Sequence, residues 1–335
     1  MTAPQYHQAM FYDKHQEQGL ICHLCPHHCR IKPGKRGICR VRSNQAGTLV
    51  TENYGRVASL ALDPIEKKPL FHFFPGHMIL SAGTFGCNLS CSFCQNYTLA
   101  HESPATQYIS PETLSIITAR ARVQGSIGMA FTYNEPSIWY EYIWDCTQIF
   151  KEQGLKVVLV TNGYIEAKPL QKLLPCIDAM NIDVKAFTND FYKRLCKGTL
   201  EPVLQTVKTA AQHTHVEVTT LLIPGENDQL EDIEALARWL ASIRPEIPLH
   251  LSRYHPAYKY QQQAPTPEET LLKAQAAARQ HLPFVYLGNV LQGNNTHCLH
   301  CQAPLIRRSY YQTELIHLQD GQCAACGNPI DYIIS

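Results

Sequence analysis

The 335-residue chain predicts an α/β protein built on parallel strands, and three observations carry that expectation. From about residue 79, six or seven short apolar runs alternate with amphipathic helical patterns. A chain of this length can bury a large core. No run reaches the roughly 18 apolar residues that would suggest a membrane span.

The expected strands, in order, are MILSAG (78–83), MAFTY (129–133), KVVLVT (156–161), MNIDVK (180–185), VEVTTLLI (216–223) and PLHLSRY (248–254), with FVYLG (284–288) as a further candidate. Helical patterns fall between them near 111–123, 137–153, 167–174, 188–196, 200–213, 229–243 and 267–280. In the penultimate one, Leu230, Ile233, Leu236, Ala237, Leu240 and Ile243 recur at helical spacing and form one apolar face. Periodicity does not choose between a doubly wound sheet and a β/α barrel. Residues 1–20 read as poorly ordered, and 22–45 as a cysteine knot with Pro33, Gly34 and Gly37 at its turns. Near residue 292 the alternation stops. The expected division is therefore a Cys-rich region (1–70), a core (71–291) and a C-terminal module (292–335).

Lys+Arg (29) and Asp+Glu (28) nearly cancel, so no global field attracts nucleic acid or an anionic membrane. The polar N-terminus lacks the apolar stretch of a secretion signal, which points to a soluble, cytoplasmic protein. In a reducing compartment, 14 cysteines read as metal ligands rather than disulfides. Eleven fall into clusters at 22–39, 87–94 and 298–326. Cys146, Cys176 and Cys196 are isolated and read as core. Cys146, for example, continues the helical stripe Ile138, Tyr142, Ile143, Ile149, Phe150.

The central cluster is GTFGCNLSCSFCQNY, with Cys87, Cys91 and Cys94 spaced x3 and x2. Three thiolates hold three irons of a [4Fe–4S] cubane and leave the fourth iron open for chemistry. A structural zinc site would be closed by a fourth ligand. Gly83 and Gly86 allow the backbone to fold closely around a cluster. The triplet directly follows the first strand, on the side where parallel β/α proteins build their active sites.

The triplet, with Phe93 before its last cysteine, resembles the signature of the radical S-adenosylmethionine (AdoMet) superfamily. The resemblance implies a partial (β/α)6 barrel. It also implies AdoMet chelated to the open iron and cleaved reductively to methionine and a 5′-deoxyadenosyl radical. TYNEP (132–136) stands where that family has a GGE-type motif receiving the methionine ammonium, so Asn134 and Glu135 are expected to hold AdoMet. Only Glu135 matches the motif directly, and as a carboxylate before Pro136 it also suits a helix N-terminus.

VTNGY (160–164) and IDVKAF (182–187) resemble the glycyl-radical-enzyme activases, such as pyruvate formate-lyase activating enzyme. That likeness implies that Thr161, Asn162, Asp183 and Lys185 line the AdoMet site, in part around a monovalent cation. LLIPGEND (221–228) and YHPAYKY (254–260) resemble the same group's later strand ends. His255 is there the candidate nucleoside contact, against the plainer reading of a rim histidine.

DPIEKKPLFHFFPG (63–76) resembles the radical enzyme of the AmmeMemoRadiSam system, a likeness running from about Cys22 to the C-terminus. It offers Memo-type and AMMECR-type proteins as partners but no substrate. Lys67, Lys68 and His72 lie just before the first strand, where the basic pair would meet a substrate or partner carboxylate, or else each lysine belongs to a solvated loop.

Two further knots flank the core. Cys22, Cys25, Cys29 and Cys39 suit tetrahedral zinc and a closed [4Fe–4S] cluster equally, and His23, His27 or His28 as substitute ligands would favour zinc. The pairs Cys298/Cys301 and Cys323/Cys326, with 21 residues between, read as a zinc ribbon. In that module Arg307, Arg308, Tyr310 and Tyr311 could serve a nucleic acid, although a lid or protein-contact role suits the neutral charge better.

The expected function is hydrogen abstraction from a protein or peptide partner, fed by a donor such as flavodoxin or ferredoxin. No catalytic residue beyond the cofactor set is assigned. The alternatives are radical modification of a small molecule or RNA, and a nonenzymatic iron–sulfur or zinc scaffold.

Overall fold

The computed structural model describes residues 6–15, 19–291, 293–309 and 312–335. Its centre is an eight-stranded sheet. In chain order the strands are β1 (Ser59–Pro64), β2 (Met78–Gly83), β3 (Ser126–Phe131), β4 (Lys156–Thr161), β5 (Ala179–Asp183), β6 (His215–Leu222), β7 (Leu249–Arg253) and β8 (Val285–Gly288). Neighbours in the sheet are also neighbours in sequence. β2 to β8 run parallel, while β1 pairs antiparallel with β2, from Ser59 opposite Gly83 to Pro64 opposite Met78.

All seven expected strands are present, so the parallel set has one more strand than six units require. β1 was not expected, because its alternation is short and ends in Pro64. As an antiparallel edge strand it tolerates a proline. It also places the start of the sheet at Ser59, inside the region assigned above to the N-terminal knot.

Helices cover the connections. α1 (Pro111–Arg120) starts at Ser110, whose hydroxyl accepts from Thr113 N–H. α2 (Tyr140–Glu152) buries the expected stripe, including Ile143, Cys146 and Phe150. α3 (Ala167–Leu173), α4 (Glu201–Ala211), α5 (Leu230–Ile243) and α6 (Glu268–Ala278) follow. The pattern at 188–196 becomes one helical turn, Asn189–Phe191, and then a wider-wound π segment, Tyr192–Cys196.

The sheet carries a buried polar cluster. Glu217 of β6 is fully buried, and its carboxylate accepts from Phe71 N–H (3.0 Å), His72 N–H (2.7 Å), His215 Nε2 (3.0 Å) and His250 Nε2 (2.6 Å). Burial alone would raise its pKa, but the two histidines hold it well below the usual carboxylate range. Segment 65–76 thus threads through this cluster instead of forming a solvated loop. His72 is buried with Nε2 2.7 Å from Tyr286 Oη, and burial pushes its pKa down to about 3, which keeps it neutral.

Residues 6–15, expected to be poorly ordered, contribute two paired strands. His7–Gln8 pairs with Val50–Thr51, and Tyr12–His15 pairs with Gly19–Cys22. The C-terminal module is a three-stranded antiparallel ribbon of Thr296–His297, Pro304–Ser309 and Gln312–Leu315. Arg308 does not suit nucleic acid, because it is 2% exposed. Its guanidinium donates to Phe71 O and to Thr296 Oγ1 (2.8 Å) and stacks 4.5 Å from the Phe71 ring centroid. Arg307 pairs with Glu314 at 3.0 Å, and Tyr310 and Tyr311 lie outside the described residues.

Arg308→Met should therefore loosen the ribbon from the buried polar cluster. Unfolding in urea should show a loss of roughly 3 kcal/mol, the order expected for removing a buried, multiply bonded charge. Limited proteolysis should release the segment after about residue 292. An unchanged midpoint would show that Arg308 does not dock the module.

Candidate active site

Loop 84–96 leaves the C-terminal end of β2 carrying Cys87, Cys91 and Cys94, and every later strand delivers polar groups to the same place. One cavity of about 370 Å³ is lined by the three cysteines, by Asn134 and Glu135 after β3, by Thr161 and Asn162 at the end of β4, and by Asp183 and Lys185 at β5. Thr219 of β6, Ser252 of β7 and Asn289 after β8 complete its wall.

Glu135 is 2% exposed and has three donors. Ser137 N–H (2.8 Å) and Thr161 Oγ1 (2.7 Å) reach Oε1, and Asn162 N–H (2.8 Å) reaches Oε2. Burial raises its pKa above the usual range, and these donors pull it back. It also caps the short helical turn Pro136–Trp139, so the helix-N-terminus reading holds alongside the cavity position. The preceding Tyr133 sits at φ 72°, a left-handed conformation that a large side chain keeps only under tertiary constraint.

Asn134 clasps the cysteine loop. Its Oδ1 accepts from Thr84 N–H (3.0 Å), and its Nδ2 donates to Gly86 O (2.9 Å). Asn162 grips the next turn, with Nδ2 2.9 Å from Asn88 Oδ1 and 3.7 Å from Cys87 Sγ. Gly86 itself has φ 90°, and a Cβ there would lie 2.7 Å from Cys39 O, so only glycine fits where the N-terminal knot meets the loop.

Lys185 Nζ pairs with Asp183 Oδ2 at 3.0 Å. Burial would lower its pKa, but Asp183 and the thiols of Cys91 and Cys196 hold it charged, above the usual lysine value. Cys196 is buried in the core, as expected, and its carbonyl accepts from Ser90 N–H at 2.9 Å, which ties it to the cysteine loop.

His255 lies elsewhere. It is exposed and lines an adjoining cavity of about 470 Å³, which shares Lys67, Pro69, Gln95, Ser252 and Asn289 with the first. Lys68 is also not solvated: it is 2% exposed, 2.7 Å from Asp63 Oδ2, with Nζ 4.6 Å from the Tyr133 ring centroid. Asp63 additionally accepts from Lys67 (2.9 Å) and Tyr133 Oη (2.6 Å). Burial would raise its pKa, but Lys68, Tyr133 and Lys67 hold it far below the ordinary range. Sequence reasoning missed this cluster, although DPIEKK carries both charges.

The two flanking knots differ in geometry. In the C-terminal quartet all four Sγ atoms lie within 4.8 Å of one another, with Cys298–Cys326 at 3.8 Å and Cys301–Cys323 at 3.7 Å. Those are the edges of a tetrahedron with sulfur about 2.3 Å from its centre. Among the described residues no other group of three or more potential ligands is so tightly gathered.

Residues 82–240 match the model of the radical SAM superfamily. Over 98% of its length the chain is 43% identical to an uncharacterized protein of Methanocaldococcus jannaschii, covering 99% of that protein. It is 27% identical to a putative glycyl-radical enzyme activating enzyme of the same organism, over 60% of this chain and 77% of that one. It is 25% identical to the pyruvate formate-lyase-activating enzyme of Clostridium pasteurianum, over 51% and 72%. The crystal structure of Streptococcus suis SuiB bound to S-adenosylmethionine shares the fold with TM-score 0.50 at 13% identity, over 67% of this chain and 52% of that one.

The depressed Asp63 pKa sets a pH dependence. Its stabilising contribution is complete above the unfolded-state carboxylate pKa, near 4, and is lost as pH falls toward the lower folded value. Asp63→Asn should cost roughly 3 kcal/mol at pH 7 by leaving Lys68 buried and unpaired. The difference from the parent should shrink in denaturation curves taken below pH 4. A pH-independent difference would exclude the ion pair as its cause.

Proposed function

We propose that this chain, which belongs to the radical SAM superfamily and is an activating-enzyme-like radical enzyme, abstracts a hydrogen atom from a protein or peptide partner. The observation carrying the site assignment is the convergence of seven successive strand ends on the cavity that holds the cysteine triplet. Parallel strands lie about 4.8 Å apart, so a flat sheet would spread seven of them over roughly 30 Å. Sharing one cavity supports a curled sheet, the partial barrel expected of the family.

The residues fit a cubane with one open iron. Cys87, Cys91 and Cys94 line the cavity together, yet their sulfurs are not gathered at single-ion distances. When bound, the cluster and AdoMet supply a 5′-deoxyadenosyl radical. Cys87, Cys91 and Cys94 would hold three irons, and Glu135 would receive the methionine ammonium at its buried carboxylate. Asn134 positions the loop with both ends of its amide and lines the cavity, where its second N–H would still serve AdoMet. Thr161 and Asn162 orient Glu135, and Asn162 also steadies Cys87. The Asp183–Lys185 pair sets the charge beside Cys91 and Cys94. His255, across the shared wall, would meet the nucleoside or the substrate, and the enclosing strands exclude water from the radical. A low-potential flavodoxin- or ferredoxin-type protein would supply electrons, and the Memo-type and AMMECR-type proteins remain candidate partners.

A second reading is favoured by the adjoining cavity of about 470 Å³, a volume typical of small-molecule sites. A relative in Methanosarcina acetivorans, 27% identical over 49% of this chain, is named a probable GTP 3′,8-cyclase.

Anaerobic incubation with reductant and AdoMet should yield 5′-deoxyadenosine, and its absence from protein with an intact cluster would sink both readings. Deuterium recovered in 5′-deoxyadenosine from a labelled protein partner supports the first, and deuterium from a labelled metabolite the second. Glu135→Gln should leave cluster iron unchanged while weakening AdoMet binding about 10- to 100-fold, the worth of one charge-assisted hydrogen bond. Unchanged affinity in equilibrium dialysis would remove Glu135 from the site.

A further inference from the structure

We propose that the N-terminal knot of Cys22, Cys25, Cys29 and Cys39 is the site of a second, fully cysteine-ligated iron–sulfur cluster, and that only the C-terminal quartet takes zinc. The inference rests on a comparison within one molecule. The C-terminal sulfurs are drawn together to single-ion distances. The four N-terminal sulfurs are not, although the four cysteines line one cavity together with Arg42 and aliphatic neighbours. In this they resemble the Cys87/Cys91/Cys94 triplet, not the zinc-like quartet.

Position speaks against mixed cysteine–histidine zinc ligation, since none of His23, His27 and His28 lines the cavity that the four cysteines share.

The surroundings offer hydrogen bonds to the sulfurs. Ile38 N–H points to Cys29 Sγ at 3.4 Å, and Arg42 Nη1 lies 3.7 Å from Cys22 Sγ. Arg42 is 1% exposed, and its Nη2 pairs with the buried carboxylate of Glu141, which fixes the guanidinium beside the knot. The knot abuts the active-site loop, with Cys39 O against Gly86.

Metal analysis of the full-length protein, purified and reconstituted anaerobically, tests this without reference to activity. The expected content is about eight iron, eight acid-labile sulfide and one zinc per chain, from two cubanes and one tetrahedral ion. About four iron with two zinc would overturn it. A Cys87→Ala/Cys91→Ala/Cys94→Ala variant should keep about four iron and the Mössbauer signature of a [4Fe–4S] cluster. Iron falling to zero in that variant while its zinc doubles would be equally fatal. Should the variant fail to fold, the parent protein's iron-to-zinc ratio still decides. Because that ratio ignores AdoMet cleavage, failure here would leave the proposed radical activity standing.

Discussion

Three thiolates on a loop can share one cluster only if the loop has a single shape, and the amide of Asn134 is what gives loop 84–96 its shape. It binds the loop's first N–H and the carbonyl of Gly86 at once, from the end of the neighbouring strand. Asn162, one strand further, holds the next turn through Asn88. From the other side, the backbone of Cys39 presses so closely on Gly86 that no side chain fits. Those contacts bring the strand ends, the loop and the N-terminal knot into one unit, and the Asn134 amide satisfies two loop backbone groups that would otherwise be buried unpaired.

Beneath the cavity, Glu217 organises the sheet's interior in a comparable way. Four donors from three separate segments converge on its carboxylate, so β6, β7 and the 65–76 segment are held in one arrangement. Arg308 then ties the C-terminal ribbon to the same segment through Phe71 O, and Phe74 N–H bonds to Ile334 O at 2.6 Å. Such buried polar groups add little net stability, because desolvation offsets most of the Coulomb gain. Their effect is on geometry: the Glu217 cluster has one satisfied arrangement, and a shifted register would leave a buried charge unpaired. The Asp63–Lys68–Tyr133 cluster does the same at the cavity's wall.

The parallel strands and their helices were legible because their signals are local. KVVLVT and MILSAG are continuous apolar runs bounded by turns, and the strands occupy 156–161 and 78–83 as expected. Six of the seven proposed AdoMet-site residues share the cysteine cavity for the same reason: a motif at a parallel strand's C-terminal end is delivered to one rim by topology. His255 departs because the chain after β7 turns toward the adjoining cavity. β1, the ordered pairing of residues 7–15 and the burial of Lys68 were not legible. Each depends on a partner distant in sequence, and charged or polar residues read as exposed until that partner is known.

By itself the sequence determined the chemistry and its address: a triplet with no fourth cysteine, placed after the first parallel strand, and two further sets of four thiolates. It could not separate those sets, because cysteine spacing limits which ligands can meet but not how far apart their sulfurs stand. Tertiary structure decided that distance, drawing the C-terminal sulfurs to tetrahedral edges and leaving the N-terminal ones less closely gathered. It also decided what surrounds the thiols, placing Asn162 beside Cys87 and Arg42 beside Cys22. Folding alone brings together groups far apart in the chain, and at metal sites separation and charge select the metal.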